Sequence, residues 1–159
     1  MAQRSEASVE IAAPPERVFE WLVDPGLNGR WHGMEVEWLP ADRSALRRGY
    51  HGVEIEPLPD STINPTMKPA PTDVEVTRYE PPLVFDQRFT HRFAVADSNY
   101  RLAPTPAGTR IRLTSSWRYR GWTRLWGLVI RLRGVDVGRE HRKAAEEMLT
   151  TLKGLVEAE

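Results

Sequence analysis

The stretch Thr109-Arg-Ile-Arg-Leu-Thr-Ser-Ser-Trp-Arg-Tyr-Arg120 alternates apolar or small side chains with polar and charged ones over its whole length. An alternation with a period of two is typical of a β-strand with one buried and one solvated face. The side chains expected to face the interior are Ile111, Leu113, Ser115, Trp117 and Tyr119. We therefore predict a strand that belongs to an antiparallel sheet with one wet face.

On the C-terminal side of this strand, the pattern changes to a helical period. His141, Ala145, Met148 and Leu152 fall on one face, with charged residues elsewhere. The pattern predicts one long helix over residues 135–157. A sheet with one apolar face has to be covered, and no other predicted element is long enough to cover it.

On the N-terminal side, the chain has the same alternation in short runs separated by turn residues. Strands are predicted near residues 4–12, 34–38, 48–56, 73–79, 83–93 and 99–102. The segment from Pro104 to Gly108 interrupts the pattern after the last of them. Two short helices are predicted after the first strand, one beginning at Pro14-Pro15 and one over residues 27–31. Residues 57–71 hold five prolines without periodicity and predict a loop. Consecutive strands joined by turns imply an antiparallel meander in an α+β domain.

Composition limits the classes of partner. Lys plus Arg and Asp plus Glu both number 22, so the formal net charge is zero and nothing favours nucleic acid. The absence of cysteine excludes a disulfide framework and a thiolate metal site. The first residues lack an apolar signal core, and no apolar run approaches the roughly 20 residues of a membrane span. We therefore expect a cytoplasmic protein with a single domain over residues 1–159. Its oligomeric state is left open.

Four groups of residues, in the same order along the chain, resemble one known superfamily. They are Val9 to Leu22 with Asp24-Pro25 and Trp31; Tyr79-Glu-Pro-Pro82; Leu102-Ala-Pro104 with Gly108-Thr-Arg110; and Leu152-Lys153 with Val156-Glu157. They resemble the polyketide cyclase/dehydrase-like branch of the START-like (SRPBCC) superfamily. The resemblance implies a helix-grip fold, in which a curved, seven-stranded sheet wraps around the long helix and leaves a cavity. It does not select a function, because this superfamily includes lipid carriers, hormone sensors and aromatase/cyclases.

The candidate ligand-binding residues are those that the predicted elements direct toward this cavity. They are Trp31, Val36, Trp38, His51, Val53, Phe85, Gln87, Phe89, His91, Tyr100, Leu102, Ser115, Trp117, Tyr119, His141, Ala145 and Met148. Ligand sites are mostly apolar with a few polar groups that orient the ligand. The same aromatic residues would also serve as ordinary core. A register slip of one residue would turn Gln87 outward, so that alternative stays open.

The polar members of this set decide between binding and catalysis. His51, His91 and His141 could line one cavity and ionise near neutral pH. Their spacing fits no metal motif, and we expect neither a metal nor another cofactor. Gln87 could orient a ligand oxygen, and Ser115 could leave room for one. No carboxylate falls clearly on the inward register.

Three functions follow, in order of preference. The first is binding of a hydrophobic small molecule, which could be lipid-like, polyketide-like or aromatic. The second is a cyclase- or dehydratase-like enzyme whose acid or base would come from His51, His91, Gln87 or Tyr119. The third is a module for a membrane surface or a protein partner, which would use the basic and aromatic segment 121–133.

Overall fold

The structure of the protein is a computed structural model, which describes residues 3–32, 35–39, 49, 51–55, 72–92, 94–121 and 137–159. Its strands are β1 (Gln3–Ile11), β2 (Glu35–Leu39), β3 (His51–Ile55), β4 (Thr72–Glu80), β5 (Val84–Thr90), β6 (Ala94–Thr105) and β7 (Gly108–Tyr119). Its helices are α1 (Pro15–Val23), α2 (Pro25–His32) and α3 (Val137–Glu157). The predicted loop 57–71 and nearly all of segment 121–133 lie outside the described residues.

The described strands form one sheet in the order β1-β7-β6-β5-β4-β3-β2. Every neighbouring pair is antiparallel. From β2 to β7 the strands follow one another as a meander, and β1 joins the last of them at the far edge. The predicted α+β class, with an antiparallel sheet and a C-terminal helix, is confirmed.

Strand β6 is longer than predicted in both directions. The sequence predicted residues 99–102 with a break at Pro104, whereas the strand runs over Ala94–Thr105. Pro104 is tolerated because β5 ends its pairing with β6 at Arg101, so that β6 continues with β7 as its partner. A residue without a backbone N–H interrupts no second ladder there. At the other end, the sequence Ala-Val-Ala-Asp-Ser98 has no clear alternation and did not predict a strand. Pairing with β5 and β7 nevertheless makes this segment part of β6.

Helices α1 and α2 form one unit that packs on the sheet. Proline is accepted at the first turn of α1 because the N–H groups of that turn have no partner within the helix. Its buried residues are Val18, Phe19, Trp21 and Leu22. Trp31 of α2 donates its indole N–H to the carbonyl of Trp21 at 3.0 Å, and Asn28 donates to the carbonyl of Leu22 at 2.9 Å. These bonds fix α2 against α1.

Helix α3 lies along the β1 edge of the sheet. Its closest backbone approaches, among the described elements, are to β1, α1 and α2. It buries Ala145, Leu149, Leu152 and Val156 in the core. Near its C-terminus, Lys153 Nζ donates to the carbonyl of Glu10 at 2.7 Å, and Glu157 Oε1 accepts the N–H of Ala12 at 2.7 Å. The C-terminal end of α3 is therefore anchored beside the end of β1.

Candidate functional site

The face of the sheet toward the helices, called the inner face below, has two parts. The first is a packed half beside α1 and α2. One row of directly opposed inner residues crosses it: Ala7, Leu113, Tyr100, Phe85 and Tyr79. The next row toward the hairpin of β6 and β7 holds Val9, Ile111 and Leu102. Most of these side chains are buried, and Phe85 is 0% exposed.

Aromatic rings fill the packed half. Phe19 of α1 meets Phe85 edge to face at 6.2 Å between ring centroids, and Trp31 of α2 meets Tyr100 at 6.3 Å. Phe85 and Tyr100 stack on neighbouring strands at 6.1 Å. These distances lie in the range in which aromatic pairs add stability beyond the area they bury. This part of the inner face is hydrophobic core.

The second part, the open half, begins at the next row of opposed residues toward the other end of the sheet. That row consists of Ser5, Ser115, Ser98 and Gln87, followed on β4 by Val76. The row after it consists of Gln3, Trp117, Ala96, Phe89 and Val74. In the middle of the sheet, Ser98, Ser115, Ala96 and Phe89 remain partly exposed although they point inward. The described helices therefore do not fill this half as they fill the first.

Trp117 and His141 connect the open half to α3. Their rings stack at 3.9 Å between centroids with 28° between the planes. Trp117 is buried, whereas His141 at the first turns of α3 keeps much of its surface in solvent. Partial burial lowers the pKa of His141 from its ordinary value. Because desolvation disfavours the charged form, the contact with Trp117 favours the neutral imidazole.

The polar groups of the open half have few protein partners. Ser5 Oγ, Gln3 Oε1 and Trp117 Nε1 are buried, and no described residue offers them a hydrogen bond. Within the described part of the chain, the side chains of Ser98, Ser115 and Gln87 also form no hydrogen bond to another residue. A buried polar group without a partner costs roughly 1–3 kcal/mol. A cluster of polar groups with so few protein partners indicates that this part of the inner face is not optimised as core.

Charge is confined to the outer face of these strands. The inner positions of β1, β4, β5, β6 and β7 hold no Asp, Glu, Lys or Arg. Asp86, which precedes Gln87, points outward and forms a two-pronged ion pair with Arg101. Arg88 pairs with Asp97 on the same outer face at 2.7 Å. The inner face of these five strands is therefore neutral.

The predicted site residues are divided between the two halves. Trp31, Phe85, Tyr100, Leu102 and Ala145 belong to the packed core. Gln87, Phe89, Ser115 and Trp117 line the open half, and Met148 is partly buried against the core. Tyr119 lies at the last position of β7, beyond Trp117, and His91 lies in the turn between β5 and β6. The side chains of Val36, Trp38, His51 and Val53 lie outside the described part of the structure.

The register resolves one alternative that the sequence left open. Gln87 pairs with Ser98 and Val76, lies between Phe85 and Phe89 on the inner face, and is 6% exposed. The amide therefore points inward. Within the described residues, no group of three or more His, Asp or Glu side chains is arranged to hold a metal ion.

The sequence did not single out three polar residues of the interior. Ser98 preceded the predicted strand, although continuing the alternation of Leu102 and Tyr100 backwards would have placed it inward. Ser5 lay within the predicted strand 4–12 but before the alternating run that indicated it, Ser8 to Ile11. His32 adjoins Trp31 at 5.3 Å between ring centroids, and burial of the imidazole lowers its pKa to about 4. Some surface of the residue remains exposed, but its Nδ1 is buried.

A family model described as polyketide cyclase / dehydrase and lipid transport matches residues 2–157. The chain belongs to this family. The resemblance to the polyketide cyclase/dehydrase-like branch of the START-like superfamily is thereby confirmed. No curated protein sequence matches the chain. Within the described residues, no helix is long and apolar enough to cross a membrane.

Solved structures with similar folds come from distant sequences. Protein MLL2253 from Mesorhizobium loti is 17% identical, with 98% of each chain covered and a TM-score of 0.65. Ara h 8.0201 is 11% identical, with 100% of each chain covered and a TM-score of 0.69. Protein SA2116 from Staphylococcus aureus is 12% identical, with 99% of this chain and 95% of that one covered and a TM-score of 0.69. At these identities the likeness shows the fold alone.

Proposed function

We propose that this protein binds a hydrophobic small molecule between the inner face of the sheet and α3, in the helix-grip arrangement expected of its family. The observation that supports this most is the partial exposure of inward side chains in the middle of the sheet, at Ala96, Ser98 and Phe89. In a filled core these positions would be closed by a helix, as Phe85 and Tyr100 are. The ligand would occupy this open half.

The lining fits a hydrophobic molecule. Phe89, Ala96 and the stacked pair of Trp117 and His141 supply apolar and aromatic surface. No charge stands on the inner positions of the described strands that flank them, so an apolar ligand displaces no strongly hydrated group. The family description, which names lipid transport, agrees with such a ligand.

The description also names cyclase and dehydrase, so an enzyme is the alternative. Catalysis of that kind needs an acid or base beside the substrate, oriented by a partner. Asp86 could have oriented a histidine, but it faces outward and is engaged by Arg101. We therefore prefer binding without chemistry. The proposed membrane-surface role of segment 121–133 stays a prediction, since residues 122–133 lie outside the described part of the chain.

The test is to fill the open half and measure binding of a neutral fluorescent probe, N-phenyl-1-naphthylamine. Ala96→Trp places an indole on the inner face of β6, between Phe89 and Trp117. Ala103→Trp makes the same change on the outer, exposed face of the same strand. We expect the first variant to weaken probe binding by about tenfold or more, and the second to change it by less than about twofold.

Circular dichroism and melting temperature verify that both variants fold. Ala96→Leu serves as a smaller insertion if the tryptophan destabilises the sheet. Absence of saturable probe binding to the native protein would overturn the proposal. Equal binding by the native protein and a folded Ala96→Trp variant would place the ligand elsewhere and overturn it as well.

A further inference from the structure

We propose that the ligand is uncharged and carries two hydroxyl or carbonyl oxygens about one strand spacing apart, which bind to a polar strip formed by Gln87, Ser98 and Ser115. This inference rests on the proposed function, because it assigns chemistry to the ligand of the same open half. It starts from the row of opposed residues that separates the open half from the packed core.

The strip is continuous across three central strands. Gln87 of β5 is directly opposite Ser98 of β6, which is directly opposite Ser115 of β7. Directly opposed side chains on one face of an antiparallel pair have Cβ atoms roughly 4.5–5.5 Å apart. The row continues to Ser5 of β1, which is 3% exposed and lies under the edge that α3 covers. The partly exposed members are therefore Ser98 and Ser115, with the buried side chain of Gln87 directly beside Ser98.

The side chains of the strip keep hydrogen-bonding capacity that a ligand could use. The amide of Gln87 lies in an almost fully buried side chain, and the hydroxyls of Ser98 and Ser115 lie on the partly exposed floor. At the covered end of the row, Ser5 Oγ is buried and has no hydrogen-bond partner among the described residues. On β5, β6 and β7, the neighbouring rows hold Phe, Tyr, Leu, Ala and Trp, so packing alone does not require polar side chains here. A bound oxygen would satisfy these side chains.

The strip selects by charge. Serine hydroxyls and the glutamine amide both donate and accept hydrogen bonds but bear no charge. A carboxylate buried on this neutral floor would lose its hydration without gaining a cation, which is strongly unfavourable. A hydroxyl or carbonyl loses less and gains a hydrogen bond worth about 0.5–1.5 kcal/mol. The ligand is thus a neutral molecule rather than a fatty acid or another organic anion.

The strip also selects by spacing. Neighbouring strands lie about 4.8 Å apart, so the hydrogen-bonding groups of the strip repeat at about that interval. Two oxygens in a meta relation on an aromatic ring lie at nearly the same separation, whereas ortho oxygens are much closer together. A flat, meta-dioxygenated ring could therefore reach two neighbouring groups of the strip at once, with its apolar edge toward Phe89 and Ala96.

The test compares matched naphthalene derivatives by displacement of N-phenyl-1-naphthylamine. Naphthoresorcinol carries two meta hydroxyls, 2,3-dihydroxynaphthalene carries two ortho hydroxyls, 2-naphthol carries one, and 2-naphthoate carries a charge. We expect naphthoresorcinol to bind about 3- to 10-fold more tightly than 2-naphthol and the ortho isomer, from one additional hydrogen bond. We expect 2-naphthoate to bind most weakly.

The variants locate the effect. Ser98→Ala and Ser115→Ala should each remove most of the preference for naphthoresorcinol over 2-naphthol, and the affinity of each variant for the fluorescent probe is measured as the reference. Ser116→Ala, next to Ser115 but on the outer face, is the matched control and should change neither. A serine-to-alanine change in a strand leaves the fold intact, which the melting temperature verifies.

The outcomes separate the two proposals. If the fluorescent probe does not bind the native protein, the proposed function fails. If the probe binds but 2-naphthol competes as well as naphthoresorcinol, or 2-naphthoate competes better, the polar strip is refuted and the binding function stands. If the meta and ortho isomers bind equally, the spacing argument is refuted. If both serine variants keep the preference for naphthoresorcinol, another part of the site causes it and the polar strip is refuted.

Discussion

The packed half and the open half of the inner face are built from the same strands but differ in what covers them. In the packed half, Phe19 of α1 and Trp31 of α2 contact Phe85 and Tyr100, and the sheet is sealed. In the open half, inward residues of β5, β6 and β7 stay partly exposed, and several polar groups there have no described partner. One sheet thus serves as core at one end and as a candidate binding floor at the other.

The difference shows how this fold separates stability from ligand choice. The short helices and the anchored C-terminal end of α3 stabilise the packed half, where Glu157 and Lys153 hold the end of β1. Residues in the open half are then less constrained by packing and can be polar. Buried polar groups without partners are a cost that a stable packed half can offset. A change in the open half should therefore affect ligand choice more than folding.

The largest expected effect is the loss of one aromatic ring from each half. Phe85→Ala should lower the free energy of unfolding by about 3–5 kcal/mol, because a fully buried ring leaves a cavity. Phe89→Ala, the same change four residues later on the same inner face, should cost less than half as much. Urea unfolding measures both. Equal losses would mean that the open half is packed as core.

The second prediction concerns His32, which lies beside Trp31 at the packed end. Its pKa is about 4 in the folded protein, against about 6.5 in an unfolded chain, so below pH 6.5 the unfolded state binds more protons. Stability should be complete above pH 6.5 and fall by up to about 3 kcal/mol as the pH approaches 4, at about 1.4 kcal/mol for each pKa unit.

The measurement is the free energy of unfolding by urea at several pH values, for the native protein and for His32→Gln. The variant cannot gain a proton at this position, so its stability should depend less on pH over the same interval. The same pH dependence in both proteins would show that the imidazole is not buried as the structure has it.

The third and smallest effect concerns glycine at the packed end. Gly108, in the hairpin of β6 and β7, has a φ of +142°, and a Cβ there would lie 2.1 Å from the carbonyl oxygen of Ile11. Gly108→Ala should therefore destabilise the protein by about 2 kcal/mol, since strain and a backbone shift add. Gly154→Ala on the exposed side of α3 meets nothing within 4 Å and should stabilise it by about 0.5–1 kcal/mol.

Thermal melting distinguishes the two glycine variants by the sign of the change. A neutral Gly108→Ala would mean that β1 does not approach the hairpin closely, and the anchoring of the packed end would then need revision. A destabilising Gly154→Ala would instead indicate that this side of α3 is covered by another part of the chain.

Much of this fold could be predicted from local pattern. The alternation over residues 109–120 correctly placed Leu113, Ser115 and Trp117 on the inner face, and the helical stripe placed Ala145 and Leu152 toward the core. Strand β1 was predicted within one residue at each end. These features depend on side-chain periodicity. The local backbone sets that periodicity, so a short stretch of sequence is enough to predict it.

Other features of the site could not be predicted in this way. Strand β6 was predicted too short, and Ser98 was missed, because its sequence is weakly patterned and its conformation is imposed by β5 and β7. His141 was placed on the buried stripe of α3, and it contacts Trp117 but keeps much of its surface in solvent. How far a helix covers a sheet depends on its docking angle and anchors, which periodicity does not encode.

The sequence by itself determined that alternate residues of each strand face one side and that one long C-terminal helix is available to cover that side. Only the tertiary structure decided that Ser5, Ser115, Ser98 and Gln87, from four separate strands, form one row. It also decided that α3 lies along β1, so that the middle of that row stays accessible. The physical reason is that periodicity is a local property, whereas strand register and helix docking are pairings between distant segments, fixed by the packing of the whole domain.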